Sequence, residues 1–155
     1  MLQATYLFSI PGMFQKMATV IDALRSVLLS SGATGVDAVN NELVATLRLT
    51  NGRTQTAKVT ITRGQHGVYH VARCVSRACI ADNPQIVRHA LRINSKYSCC
   101  GCVLVTSLKP PVIDVTANVI ICPNGDFLEE IISSLFQVVE LADRVEANVM
   151  KQDFF

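Results

Sequence analysis

Leu43-Val44-Ala45-Thr46-Leu47-Arg48-Leu49-Thr50-Asn51-Gly52-Arg53-Thr54-Gln55-Thr56-Ala57-Lys58-Val59-Thr60-Ile61 is the stretch whose reading decides the fold. Leu43, Ala45, Leu47 and Leu49 alternate with Val44, Thr46, Arg48 and Thr50. Beyond Asn51-Gly52, Gln55, Ala57, Val59 and Ile61 alternate with Lys58, Thr60 and Thr62. A period of two with one apolar side marks strands that bury one face, and Asn-Gly marks the turn between them. A one-residue slip would turn every side chain over, so the faces select the register. A two-residue loop pairs Leu47 with Thr56 and mixes the faces. A three-residue loop, Thr50 to Gly52, pairs Leu47 with Gln55, Ala45 with Ala57 and Leu43 with Val59. Gly52 is therefore expected in the left-handed conformation of a bulged turn.

Working outward, Met13 to Leu29 carries Met13, Met17, Val20, Ile21, Leu24, Val27 and Leu28 at helical spacing, with Pro11 before and Gly32 after it. Gly64 to Gly67 reads as a turn, and Val68 to Ile80 as a third strand. Asn83-Pro84 opens a short helix, with Asn as cap and Pro in the first turn, and Ile86, Val87, Ala90 and Leu91 facing inward. Cys99–Thr106 and Val112–Cys122 form a second hairpin around Lys109-Pro110-Pro111, and Ile113, Val115, Ala117, Val119 and Ile121 make its inner face. Asp126 and Glu129 form a capping box for a last helix. Its stripe is Leu128, Ile131, Ile132, Leu135, Val139, Ala142, Val145 and Val149. The expected fold is α+β, in the order α-βββ-α-ββ-α: one domain over residues 1–155, a twisted antiparallel sheet packed against helices on one face.

With 155 residues, half of them hydrophobic and only 17% charged, the chain has the makings of a packed core and not of a disordered tail. No apolar run reaches the roughly 20 residues of a spanning helix, and the N-terminus lacks a basic leader, so no membrane segment or signal peptide is expected. The six cysteines, at 74, 79, 99, 100, 102 and 122, fall within strand-like runs. They read as reduced, buried, hydrophobe-like residues of a cytoplasmic protein. Their spacing is not that of a zinc knuckle, and a redox pair at Cys100 and Cys102 is the weaker reading.

The charge is uneven. Residues 1–50 are neutral, 51–109 carry +8 and 110–155 carry −6. The basic segment 53–96, with Arg53, Lys58, Arg73, Arg77, Arg88 and Arg92, gives an alternative reading as a nucleic-acid-associated protein. Only Tyr69 within it and Tyr97 just after it are there for base stacking, so mutual neutralisation of the basic sheet and the acidic last helix is expected instead. His66, His70 and His89 have no nucleophile and orienting acid beside them in sequence, and no phosphate loop or paired-carboxylate motif occurs. No catalytic centre, metal site or cofactor is expected.

The element order resembles the type III secretion chaperone-like fold and the YbjN-like proteins assigned to it. The most specific local stretches are Ala90-Leu91-Arg92-Ile93-Asn94, Asp126-Phe127-Leu128-Glu129-Glu130 and Leu141-Ala142-Asp143-Arg144-Val145-Glu146. The first ends in leucine-x-x-asparagine and the last holds an alanine-aspartate pair, both recurrent in such families. The resemblance implies a homodimer that handles a protein client or regulates a pathway, without catalysis. The basic middle and the Cys99-Cys100-Gly101-Cys102 strand depart from that pattern. On the last helix Phe136 falls about 120° from the centre of the stripe and Leu141 near its opposite margin. The expected partner surfaces are therefore this helix, at Phe136, Leu141 and Val145, and the open face of the sheet.

Overall fold

The computed structural model describes residues 12–64, 69–94, 99–121 and 127–151, with side chains from 20 to 149 within those ranges. Over these residues the chain is α+β: α1 (Gly12–Ser30), β1 (Thr34–Val39), β2 (Glu42–Arg48), β3 (Thr54–Arg63), β4 (His70–Ile80), α2 (Pro84–Ile93), β5 (Gly101–Val105), β6 (Val112–Ile121) and α3 (Phe127–Lys151). The six strands form one antiparallel sheet in the order β1-β2-β3-β4-β6-β5.

The register of β2 and β3 is the one that the apolar faces demand. Leu43 pairs with Val59, Ala45 with Ala57 and Leu47 with Gln55. The loop is Thr50 to Gly52, closed by Leu49 and Arg53, with Gly52 at φ 83°. Five strands were expected ahead of the structure, and a sixth, β1, precedes them. Its pattern is hidden because Gly35, at φ 67°, sits in a register shift between Thr34 and Asp37, and the bulge breaks the alternation. The two-residue link Asn40-Asn41, with Asn40 at φ 55°, joins it to β2.

Helix ends follow local chemistry. After α1, Gly32 takes φ 84°. Its N–H bonds the Leu29 carbonyl and that of Ala33 the Leu28 carbonyl, a Schellman ending. Asn83 caps α2 by accepting from the Gln85 N–H at 2.8 Å, with Pro84 in the first turn. On α2 the buried residues are Ile86, Ala90 and Ile93, while Leu91 is exposed, contrary to the inward face expected for it. A ten-residue helix resting chiefly on β5 buries one narrow i, i+4, i+7 line, and Leu91 lies off it. The proposed cap of α3, Asp126, lies outside the described residues.

The core lies between one sheet face and the helices. Leu43, Val59, Ile61, Cys74, Ile113 and Val115 face Leu24, Leu28, Ile131 and Leu135 across it, all essentially without solvent contact. Each such Leu or Ile contributes about 1.5–3 kcal/mol. α3 crosses β3, β4 and β6; α1 covers β1 and β2 and touches α3; α2 closes the β5 end.

Candidate partner-binding surface

Of the three residues expected to meet a partner on the last helix, two lie inside the chain. Leu141 is 1% and Val145 0% exposed, both inside the core of the chain, and Phe136 is half-buried against it. For Leu141 and Val145 the expectation is corrected, and the reason is geometric. α3 is in contact with the sheet and with α1 as well, so a stripe wider than one helix face is consumed within the chain.

What remains uncovered is the second face of the sheet. All three helices contribute buried side chains to the core on the other face, and no described helix lies over this one. Eight large hydrophobics stay exposed among the described residues, and five of them (Val39, Val44, Ile80, Val103 and Ile120) alternate onto this face. Threonines fill much of the rest, with Thr46 and Thr56 hydrogen-bonded across β2 and β3 at 3.1 Å. Four of its charges pair in the plane, while Asp37, Arg48 and Arg73 share the face outside these pairs. Lys58 bonds Glu42 at 2.9 Å, and Arg77 bonds Asp114 at 3.2 Å. Lys58, by its hydrogen bond first and its charge second, holds the Glu42 carboxyl below its usual range. Sequence alternation alone already put Val44 and Ile120 on this side.

The basic residues of segment 53–96 do not converge. Lys58, Arg73 and Arg77 lie on the open face, two of them ion-paired. Arg88 and Arg92 stand on α2, in the opposite layer. Arg53, at the β2–β3 turn, reaches Asp143 through Nε at 2.9 Å and Glu146 through Nη2 at 2.8 Å. Asn51 Nδ2 donates to Asp143 at 2.8 Å, and Gln55 Nε2 to Glu146 at 3.3 Å. The acidic last helix thus neutralises part of the basic middle within one chain, by clasping the hairpin tip.

A second joint went unforeseen. Asn94, the C-cap of α2, donates from Nδ2 to the Cys102 carbonyl at 2.9 Å and accepts from the Cys102 N–H at Oδ1. Asn94 and Asp143 are the asparagine of the leucine-x-x-asparagine stretch and the aspartate of the alanine-aspartate pair, so two residues that carry the resemblance are fastenings of this fold.

Four of the described cysteines, Cys74, Cys79, Cys100 and Cys102, are unsuited to nucleophilic work. Burial pushes the Cys74 thiol up to about 12. Burial first, then the charges of Glu146 and Asp82, raises Cys79 to about 11. Burial, then Cys100 and Cys79, raises Cys102 to about 11, and burial followed by Cys99 raises Cys100. At neutral pH these four thiols keep their protons. Cys99 is exposed while Cys100 is buried, both just ahead of β5. Cys122 and His66 lie outside the described residues. Among those described, no three His, Cys, Asp or Glu side chains are grouped to hold a metal, and no helix is long and apolar enough to cross a membrane. Comparison with known protein families and with curated proteins gives no match.

Proposed function

We infer that the chain is a non-catalytic protein-binding module, chaperone-like or regulatory, that works as a homodimer and engages a protein client. The uncovered sheet face carries the reading. It gathers five of the eight large hydrophobics exposed among the described residues, and it holds the pairs Lys58–Glu42 and Arg77–Asp114. A face of apolar groups among such pairs can be covered by another polypeptide that supplies partners for Asp37, Arg48 and Arg73, which favours a protein bearing charges of both signs over a polyanion. One antiparallel sheet with helices packed on one face supports this reading, and β1 stands at one edge beyond the expected order.

The test has two arms. Light scattering of the purified chain should give twice its 16.9 kDa. Ile120→Asp, at a position 58% exposed, should leave the thermal midpoint within the small range of a surface change and weaken partner binding about tenfold. A monomer at every concentration, together with partner binding indifferent to Ile120→Asp, would end this reading.

A further inference from the structure

The two edges of the sheet are defended unequally. β1 is blunted by the Gly35 bulge and by Asp37, devices that keep an edge strand from pairing with another chain. β5, at the other edge, has neither. Its sequence Gly101-Cys102-Val103-Leu104-Val105 contains no charge and no proline, and among the described residues it pairs only with β6. Such a strand is a template for a further strand.

In an antiparallel ladder the N–H and C=O of one residue point to the same side, and successive residues point to opposite sides. Cys102 spends both groups on Asn94, so Cys102 and Leu104 turn to the outer edge while their neighbours bond β6. The Asn94 amide, with one donor and one acceptor spaced like a peptide unit, fills the place that a neighbouring strand's backbone would take.

We propose that Asn94 is an edge guard, a side-chain surrogate for a seventh strand that prevents β5 from pairing with β5 of a second copy. The second copy is the occupant that the geometry fits. Two β5 strands related by a two-fold axis at Val103 would set Cys102 of one opposite Leu104 of the other. The outward groups would then match in four hydrogen bonds, with Val103 against Val103 on the open face. No charge would oppose its own image. This device goes beyond the protein-binding reading and does not depend on it, because the wild-type mass, whatever it is, serves as the baseline.

Hydrogen exchange and light scattering test it on the full chain. In the wild type, the Cys102 amide should be as protected as that of Val103, which faces β6. A Cys102 amide exchanging at the unprotected rate would overturn the proposal even if no variant folds. Asn94→Ala should add a concentration-dependent increase in mass above the wild-type value. Val103→Lys added to Asn94→Ala should bring the mass back to that of Val103→Lys alone, since the two lysines would face each other across the new pair. If Asn94→Ala folds and keeps the wild-type mass at every concentration, the edge needs no guard and the proposal fails. An increase in mass that Val103→Lys does not reverse would place the contact elsewhere and also reject it.

Discussion

At the scale of single residues, the chain holds itself together through a few polar side chains that each serve two elements. Asp143 is the clearest. Its side chain is 8% exposed, yet it is ionisable, and Asn51 and Arg53 are the groups that make its burial tolerable. Arg53 is 39% exposed, so water screens its charge, and the attraction itself is worth little. The larger effect is the loss of acceptors for the tip of the β2–β3 hairpin. Asp143→Ala should cost about 1–3 kcal/mol, seen as a lower urea midpoint with an unchanged slope. A change under about 0.5 kcal/mol would show that the turn at Gly52 holds the tip unaided. The thiols predict a pH dependence. Their folded values, about 11 for Cys79 and Cys102 and about 12 for Cys74, lie above the ordinary 9.0 of the unfolded chain. Below the unfolded value both states hold the proton and nothing is gained or lost. Above it the unfolded chain ionises first, so stability should fall as pH rises from 9.0 toward 11 and 12. Urea titrations across that range check the sign. Thiol labelling at neutral pH should modify Cys99 well before Cys74, Cys79 or Cys102, and equal rates would mean that the strands open.

At the scale of elements, the balance between local pattern and neighbours explains which expectations held. The β2–β3 register follows from alternation on both strands, and only one loop length keeps the faces apart. The Asn83 cap and the Gly32 ending are local chemistry, complete within a few residues. β1 was not legible because its bulge leaves Val36 as its one buried residue. The Asn40-Asn41 turn, set between Val36–Ala38 and Leu43–Ala45, was the one clue to it. On α3 the pattern was read correctly as wide and assigned wrongly. A helical wheel shows how many degrees are apolar and not what stands opposite them, and here the chain's own core takes the margin that Leu141 occupies. Leu141→Ala should therefore lower stability by about 2–5 kcal/mol, with a lower urea midpoint. Partner affinity per folded molecule should stay unchanged. A stable Leu141→Ala protein with lost partner binding would restore the helix as a docking surface.

At the scale of the molecule, the uneven charge and the uncovered face belong together. The basic middle and the acidic C-terminal part meet at Arg53, Asp143 and Glu146, and on the sheet Lys58 pairs with Glu42 and Arg77 with Asp114, beside Arg48 and Arg73. The field that would draw in a polyanion is thereby divided among local pairs and two opposite layers. What is left to the outside is a threonine-rich, partly apolar sheet face, and at one end of it a strand edge held shut by one amide. By itself the sequence determined the α+β class, the strand pairing of the first hairpin, the inner face of β6 and the positions of all three helices, because those depend on periodicity and on turn and cap residues within a few positions of each other. Only the tertiary structure decided that Leu141 and Val145 are core, that Asp143 anchors residue 51 and that Asn94 seals β5. Burial and edge protection are relations between distant segments, and a repeating pattern along one segment carries no record of which neighbour will cover it.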